Sequence, residues 1–421
     1  MIRLAAADVD LTAFIRRGDG VVISQGTAEP QSLTEALTRQ AETLGPLTIF
    51  LGGGSFSRTF ADPPRQHRLL GYGAVGDHRA LIKSGAMEVV PAHVSAMPGL
   101  IGRTIPCDVA LVQVSGPRAD GSFSYSLSSD YTVEAVEQAR VVVAELNRNA
   151  PVTYCETGLD PARIDVLVES DRPLLQMPRA PVGDLDRAIA AQIAGFIEDR
   201  STLQIGYGAV PEAIIATLGD RKDLGLHTGV IGDSVIELIE EGVITNSFKE
   251  VLPGVSVTGA LWGTDRLYRF VDRNPVILLS RIRTTHGPDT LGRLSRLVSI
   301  NSAIEIDLTG QVNAEQVGKD YIGAIGGQVD FVRAGARAAA GCSIIALASS
   351  ARGGTVSKIV AKLDGPVTTS RSDVDIIATE HGAVQLKGLS LQERVRRLTA
   401  LAAPQFREEL ERDAYEIYGV R

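Results

Sequence analysis

Short runs of β-branched and other apolar residues alternate along the chain with segments whose apolar positions recur every three or four residues. The runs at 20–24, 47–51, 109–114, 141–145, 165–169, 202–205, 276–279, 343–346 and 375–379 are nearly continuous rather than alternating. That pattern predicts strands buried on both faces of a mostly parallel sheet. Between them the period lengthens, and helices are predicted over 30–44, 131–139, 184–199, 211–218, 233–241, 328–340 and 391–401. Asp233 is placed to cap the helix that follows it, and Gly242 to end that helix. Strand and helix in regular alternation predict an α/β protein.

One stretch interrupts the rhythm. Residues 171–183 carry Pro173, Pro178 and Pro181, which block a helix and favour an extended tether. It divides the chain into an expected N-terminal domain, 1–183, and a C-terminal domain, 184–421. The two halves open alike. Val21-Val22-Ile23-Ser24 runs into Gly26 and Pro30, with Leu33 and Leu37 beyond; Leu203-Gln204-Ile205 runs into Gly206, Gly208 and Pro211, with Ile214 and Leu218 beyond. Each reads as strand, glycine turn, proline at the first helical position and an apolar helix face. Duplication and convergence on an ordinary βα turn both account for this.

Composition narrows the function classes. At 421 residues the chain has room for two or three domains, and its 43 glycines, about a tenth of the chain, suit many tight turns or close backbone approaches to a ligand. A net charge of −8 without any run of basic residues argues against nucleic acid as a partner. No apolar stretch approaches the ~20 residues of a membrane span, and Asp8 and Asp10 interrupt any signal-peptide core. A cytoplasmic protein is expected. Cys107, Cys155 and Cys342 are too far apart for a disulfide framework or metal cluster and read as small buried apolar residues. No metal is expected.

The most informative loop is Ile322-Gly323-Ala324-Ile325-Gly326-Gly327-Gln328, three glycines ahead of a helix N-terminus, where free N–H groups can hold an anion. Its spacing fits neither the dinucleotide fingerprint nor the phosphate-loop lysine pattern. With it stand, in order, Asp108–Ser115, Ser128-Ser129-Asp130-Tyr131-Thr132, Ile205–Pro211, Asp223–Thr228, Ser299–Ala303, Asp307–Val312, Thr368–Val374 and Thr379-Glu380-His381-Gly382. Together these segments resemble the acetyl-CoA hydrolase/transferase family, which includes 4-hydroxybutyrate and butyrate:acetate CoA-transferases, over about 18–412. The resemblance implies two related open α/β domains of the CoA-transferase type, a site in the cleft between them, and a homo-oligomer, dimer or tetramer. It implies acyl-CoA as substrate and places Gly323, Gly326, Gly327, Gln328 and Asn301 at the CoA-ester site. Family members run a ping-pong reaction through a glutamate, which forms first an acyl anhydride and then a glutamyl-CoA thioester.

The chain departs from that pattern at the nucleophile. The family reads His-Thr-Glu-x-x-x-Asp; this chain reads His227-Thr228-Gly229-Val230-Ile231-Gly232-Asp233. A second acid is missing at Val94-Ser95-Ala96-Met97-Pro98, and a histidine enters at Thr284-Thr285-His286-Gly287. His286 therefore ranks first as a general base, with Glu29 and His93 as further catalytic candidates. The main expectation is acyl transfer from acyl-CoA directly to water or to a small hydroxyl or amine acceptor. One alternative is acyl-CoA:carboxylate CoA transfer through a different carboxylate or by direct attack of the acceptor acid. Another is a non-catalytic acyl-CoA binder.

Overall fold

The computed structural model describes Met1–Val420. Its chain forms two compact units: Met1–Pro178 with Gly229–Asp233 and Val255–Gly287, and Arg179–Thr228 with Ser234–Gly254 and Pro288–Arg421. The expectation kept 184–421 in one piece, whereas the first unit draws in two segments from beyond the tether. Backbone pairing accounts for this. Ser256–Thr258 and Ile277–Leu279 form a small parallel sheet with Tyr154–Cys155, and Val230–Ile231 pairs with Ala260–Leu261.

In the first unit eight strands form one all-parallel sheet: β1 (Ile2–Ala5), β2 (Gly20–Ile23), β3 (Thr48–Phe50), β4 (Arg68–Gly71), β5 (Met87–Val89), β6 (Val109–Val114), β7 (Val141–Asn147) and β8 (Val166–Ser170). Their spatial order is β1-β8-β7-β6-β2-β3-β4-β5. From β2 the chain steps outward through β3, β4 and β5, then returns to lay β6 against the other side of β2, with Val21 opposite Val109. Every residue of β2 and β6 is buried, as continuous apolar runs require.

The first helix shows how this sheet holds what packs on it. Gln31–Arg39 buries Leu33, Ala36 and Leu37, the three- and four-residue spacing of one helix face. Pro30, expected as its first residue, is the N-cap and has no side chain with which to cap. A carboxylate from β7 does this instead. Glu145 accepts the N–H of Ser32 (2.8 Å), the N–H of Leu33 (3.4 Å) and the hydroxyl of Ser32 (2.9 Å). Its burial pushes the carboxyl above the ordinary range.

The second unit contains β9 (Thr202–Ile205), β10 (Gly225–Leu226), β11 (Leu297–Ser302), β12 (Cys342–Ala346), β13 (Ile376–Thr379) and β14 (Gly382–Gln385). The order is β10-β9-β11-β12-β13-β14, parallel except for β14. The same reversal recurs: the chain steps from β9 out to β10, then returns to place β11 on the other side of β9. Among the described residues no helix is long and apolar enough to cross a membrane.

Because Glu145 replaces the missing cap of Gln31–Arg39, Glu145→Ala should lower stability by about 2–4 kcal/mol, leaving two N–H groups and a hydroxyl without their acceptor. Urea denaturation measures this as a fall in midpoint at constant slope; an unchanged midpoint contradicts the assignment.

Candidate active site

Open α/β sheets take ligands outside the carboxyl ends of their strands, at the point where strand order reverses. In the first unit that point lies between β2 and β6, and the turn Ser24–Glu29 emerges from it. Gln25 is buried and uses its whole amide. Its Nε2 donates to Asp130, and its Oε1 accepts the N–H of Gly53 (2.8 Å) and the hydroxyl of Tyr72 (2.8 Å). Asp130 also accepts the Ser128 hydroxyl (2.7 Å) and the N–H of Thr132 (3.2 Å). Burial raises its carboxyl above the usual range, against the lowering effect of these donors.

The backbone continues this chain of contacts. The carbonyl of Gly259 accepts the N–H groups of Ser129 (2.9 Å) and Asp130 (3.3 Å), and the carbonyl of Gly229 accepts those of Gly259 (3.1 Å) and Ala260 (3.1 Å). Gly26, at φ +63°, lies under Trp262: a Cβ there would meet the indole Nε1 at 2.5 Å. Thr27 donates to the carbonyl of Leu261 (2.6 Å), and Phe56 meets Trp262 edge to face at 5.6 Å. Trp262 thus packs the glycine turn against the 229–233 segment.

Gly229 lies against a side chain from another part of the chain. A Cβ at this residue would stand 2.9 Å from both Cε1 and Nε2 of His286, so the ring would have to shift to admit one. His286 is buried and follows the short helix Ile282–Thr285. Its Nδ1 lies 2.8 Å from the Thr285 hydroxyl. Arg281 anchors the start of that helix through ion pairs to Glu134 (2.9 Å) and Glu137 (2.8 Å). The turns Val94–Ala96 and Met97–Leu100 pack against it.

The structure therefore brings Gly229 and His286 together, with the 94–100 stretch beside the histidine's helix. His93 precedes that stretch, and its buried Nδ1 has no hydrogen-bond partner among the described residues. Glu29 stands in a socket of its own. Its carboxylate accepts the hydroxyls of Thr34 (2.8 Å), Ser57 (2.8 Å) and Ser55 (3.2 Å), and burial raises it above the usual range. That carboxylate ties the first helix to the 55–57 loop. Asp233 requires a correction: it does not cap Val235–Glu240, whose N-cap Ser234 makes no side-chain cap. It accepts the N–H groups of Thr264 (3.2 Å) and Leu267 (3.1 Å), at the start of Asp265–Val271, because the 229–233 segment packs with 260–267.

In the second unit the reversal falls between β9 and β11, and there Gln204 and Asn301 exchange amide hydrogen bonds (3.0 and 3.4 Å). The glycine loop precedes Gln328–Arg337, which packs on β11 and β12. Its three glycines do different work. A Cβ on Gly323 would meet the Ala314 carbonyl at 1.9 Å, and the N–H groups of Ile322 and Gly323 are both used by the carbonyl of Glu315 (2.8 and 2.9 Å). Gly326 adopts φ +56°. Gly326 and Gly327 have no intramolecular N–H acceptor among the described residues, so they present the donors. Gln328 donates from Nε2 to Thr369 (3.1 Å).

The chain matches a model of the acetyl-CoA hydrolase/transferase N-terminal domain over residues 4–160 and a model of the C-terminal domain of the same name over 263–414. It belongs to the acetyl-CoA hydrolase/transferase family. It is 38% identical to a 4-hydroxybutyrate coenzyme A transferase of Clostridium kluyveri, across 93% of this chain and 92% of that one. It is 32% identical to a succinyl-CoA:cyclohexane-1-carboxylate CoA transferase of Geobacter metallireducens, across 96% and 93%. Among solved structures, RipA from Yersinia pestis superposes with a TM-score of 0.91 at 32% identity, covering 99% of this chain and 97% of that one. A 4-hydroxybutyrate CoA-transferase from Porphyromonas gingivalis superposes at 0.83 and 34%, covering 99% and 98%. Family enzymes act on acyl-CoA thioesters.

No group of three metal-ligating side chains is assembled among the described residues. All three cysteines are buried, and burial pushes Cys107 and Cys342 up to about 12, far from thiolate chemistry. Sequence reading did not single out Gln25, Gly259 or Thr285 for the site. Gln25 carried a faint signal, as an uncharged amide two residues beyond the strand Gly20–Ile23.

The buried acids set a pH dependence. Asp130 and Glu29 have folded pKa values above their unfolded ones, so the stability they contribute is full below the ordinary carboxylate range and is lost as pH rises through the folded values. Stability should fall as pH rises above the ordinary carboxylate range, and Asp130→Asn should flatten that slope whatever its effect on the absolute value. Urea midpoints across this range measure it; an identical slope in the variant contradicts the assignment.

Proposed function

We propose that this chain transfers CoA from an acyl-CoA to a carboxylic acid, and that the acceptor's own carboxylate attacks the thioester. Relatives named for CoA transfer to carboxylates support the reaction class. The observation that carries the mechanism is the placement of His286 in the space that a side chain at residue 229 would need. A side chain built on residue 229 would crowd this imidazole, whose tip would have to shift to admit a carboxylate. Glu29 does not replace it, because three hydroxyls already hold its carboxylate.

The steps balance without an enzyme-bound intermediate. An acceptor carboxylate oxygen bonds to the thioester carbon, the C–S bond breaks, and CoA leaves as thiolate. The thiolate then attacks the acceptor-derived carbonyl of the mixed anhydride, the C–O bond breaks, and the donor acid leaves as carboxylate. No proton is gained or lost overall. The Thr285 hydroxyl lies 2.8 Å from His286 Nδ1 and 3.4 Å from the carbonyls of Arg281 and Ile282, and we assign its hydrogen to Nδ1. On that assignment the ring proton sits on Nε2, one of the two ring atoms that face residue 229. His286 acts in this reading as a hydrogen-bond donor to the carboxylate and oxyanion rather than as a base.

The opposite ring tautomer favours a second reading. With Nδ1–H donating to Thr285, Nε2 would accept a proton from water, and the outcome would be hydrolysis. Acyl-CoA donors incubated with carboxylate acceptors distinguish the two. New CoA esters without free thiol, and intersecting initial-velocity lines, support CoA transfer; acceptor-independent thiol release supports hydrolysis.

His286→Ala should lower kcat by roughly 10²-fold or more. Gly229→Glu alone should destabilise the fold by about 1–3 kcal/mol through overpacking against the imidazole and gain no ping-pong turnover. Gly229→Glu with His286→Gly restores the space and should give parallel initial-velocity lines. If Gly229→Glu alone folds at full stability and gives ping-pong transfer, the steric argument fails.

A further inference from the structure

One residue holds the glycine loop of the second unit by both its backbone and its side chain. The strands Gln316–Val317 and Asp320–Tyr321 form an antiparallel hairpin with Tyr321 opposite Gln316, so the chain returns over Glu315, which immediately precedes it. Asn313 fixes the base of this hairpin. Its Oδ1 accepts the N–H groups of Glu315 (3.0 Å) and Gln316 (3.1 Å), and its Nδ2 donates to the carbonyl of Gln316 (2.7 Å). The carbonyl of Glu315 accepts the N–H groups of Ile322 and Gly323 (2.8 and 2.9 Å). Its carboxylate is buried and accepts the hydroxyls of Thr368 (2.7 Å) and Tyr321 (3.3 Å). A buried carboxylate is costly unless donors meet it, and here one of the two donors is the phenol that leads into the loop.

This clamp uses the N–H groups of the loop in succession. Those of Ile322 and Gly323 go to Glu315, and that of Ala324 goes to the carbonyl of Ala314 (3.2 Å). The N–H of Ile325 goes to the Tyr321 hydroxyl oxygen. Gly326 and Gly327 follow, and their N–H groups have no acceptor among the described residues. Gly326 has φ +56°, and Gly327 has φ −91° and ψ 2°. A left-handed residue followed by a right-handed one turns successive N–H groups toward a common point, as in backbone anion nests. Thr368 braces the other side of the carboxylate, since its hydroxyl oxygen also accepts the N–H of Ala314 (2.9 Å). The Tyr321 hydroxyl thus gives its hydrogen to Glu315 and its oxygen to Ile325, one residue before the two remaining donors. Burial and the adjacent Glu315 carboxylate push this phenol above its ordinary range, so it stays protonated and keeps donating at neutral pH.

We propose that Tyr321 and Glu315 are positioning residues for the acyl-CoA reaction, holding the glycine loop so that the Gly326 and Gly327 N–H groups meet negative charge as it develops on the thioester oxygen. This role rests on the CoA-transfer function proposed above and on the place of the loop in the CoA-ester site. Donors that act on developing charge alter kcat rather than substrate affinity. Tyr321→Phe removes one hydroxyl and leaves the ring in place. It should lower kcat by roughly tenfold while KM for the acyl-CoA stays within about twofold. Glu315→Ala should lose at least as much, whereas Glu315→Gln keeps an oxygen for Thr368 and an amide for the Tyr321 oxygen and should retain most of the parent's kcat. Hydrogen exchange of the full chain, read by mass spectrometry, supplies a measurement independent of turnover. In Tyr321→Phe the amides of 322–327 should exchange faster while those of Leu391–Leu401 keep the parent's rate. Unchanged loop exchange, unchanged kcat, a loss confined to KM, or faster exchange throughout the chain in Tyr321→Phe overturns the positioning role. A parent protein that turns over no acyl-CoA contradicts the CoA-transfer function instead, and the exchange rates then decide whether Tyr321 holds the loop.

Discussion

The backbone of Gly229 and the imidazole of His286 lie so close that any side chain at 229 must displace the ring, and the rest of the segment is arranged around that contact. His286 takes the space beside the Gly229 backbone, with ring atoms 2.9 Å from where a Cβ would project. A side chain at 229 would therefore have to displace the imidazole. A substitution at one position is felt at the other. The glycine and the histidine lie fifty-seven positions apart in the sequence; in the structure they are neighbours.

Holding an imidazole against a bare backbone requires that neither move. Gly229 is fixed through its carbonyl, which accepts two N–H groups from 259–260, and Gly259 is fixed in turn by Ser129 and Asp130. Asp130 is locked by Gln25, whose oxygen is held by Gly53 and Tyr72. From Gly259 to Tyr72 every step of that relay is buried, and a buried polar group costs least when each of its partners is supplied. On the other side, Arg281 clamps the helix carrying His286 to Glu134 and Glu137. The ionised groups are unfavourable to bury, as the raised carboxyl of Asp130 shows. What they contribute is a defined position for two residues in contact.

Much of the fold is legible in the hydrophobic pattern because its strands are buried on both faces. Val109–Val114 and Thr202–Ile205 coincide with the expectation, and Leu391–Leu401 does so among the helices. The pattern fails at β11, the strand that carries Asn301. Leu-Val-Ser-Ile-Asn-Ser interleaves hydroxyls and an amide with apolar side chains, yet Ser299 is fully buried and Asn301 pairs with Gln204 across the strand-order reversal. Partners supplied by tertiary structure have no local signature. Asp233 failed for the same reason: its spacing suits the next helix, while folding brings the start of Asp265–Val271 within its reach. The glycine loop was legible as an anion-binding turn, but not the division of labour in which Gly323 spends its N–H on Glu315 and leaves the donors to Gly326 and Gly327.

Intact-protein mass spectrometry of the enzyme during turnover tests the central claim most directly. With an acyl-CoA and a carboxylate acceptor both present, and the reaction quenched with borohydride or hydroxylamine, the account predicts accumulation of the new CoA ester while the protein keeps its unmodified mass. A protein species carrying CoA, an acyl group or the corresponding trapped carboxyl derivative would contradict it, because it would place a nucleophilic side chain where the structure shows only Gly229 against His286.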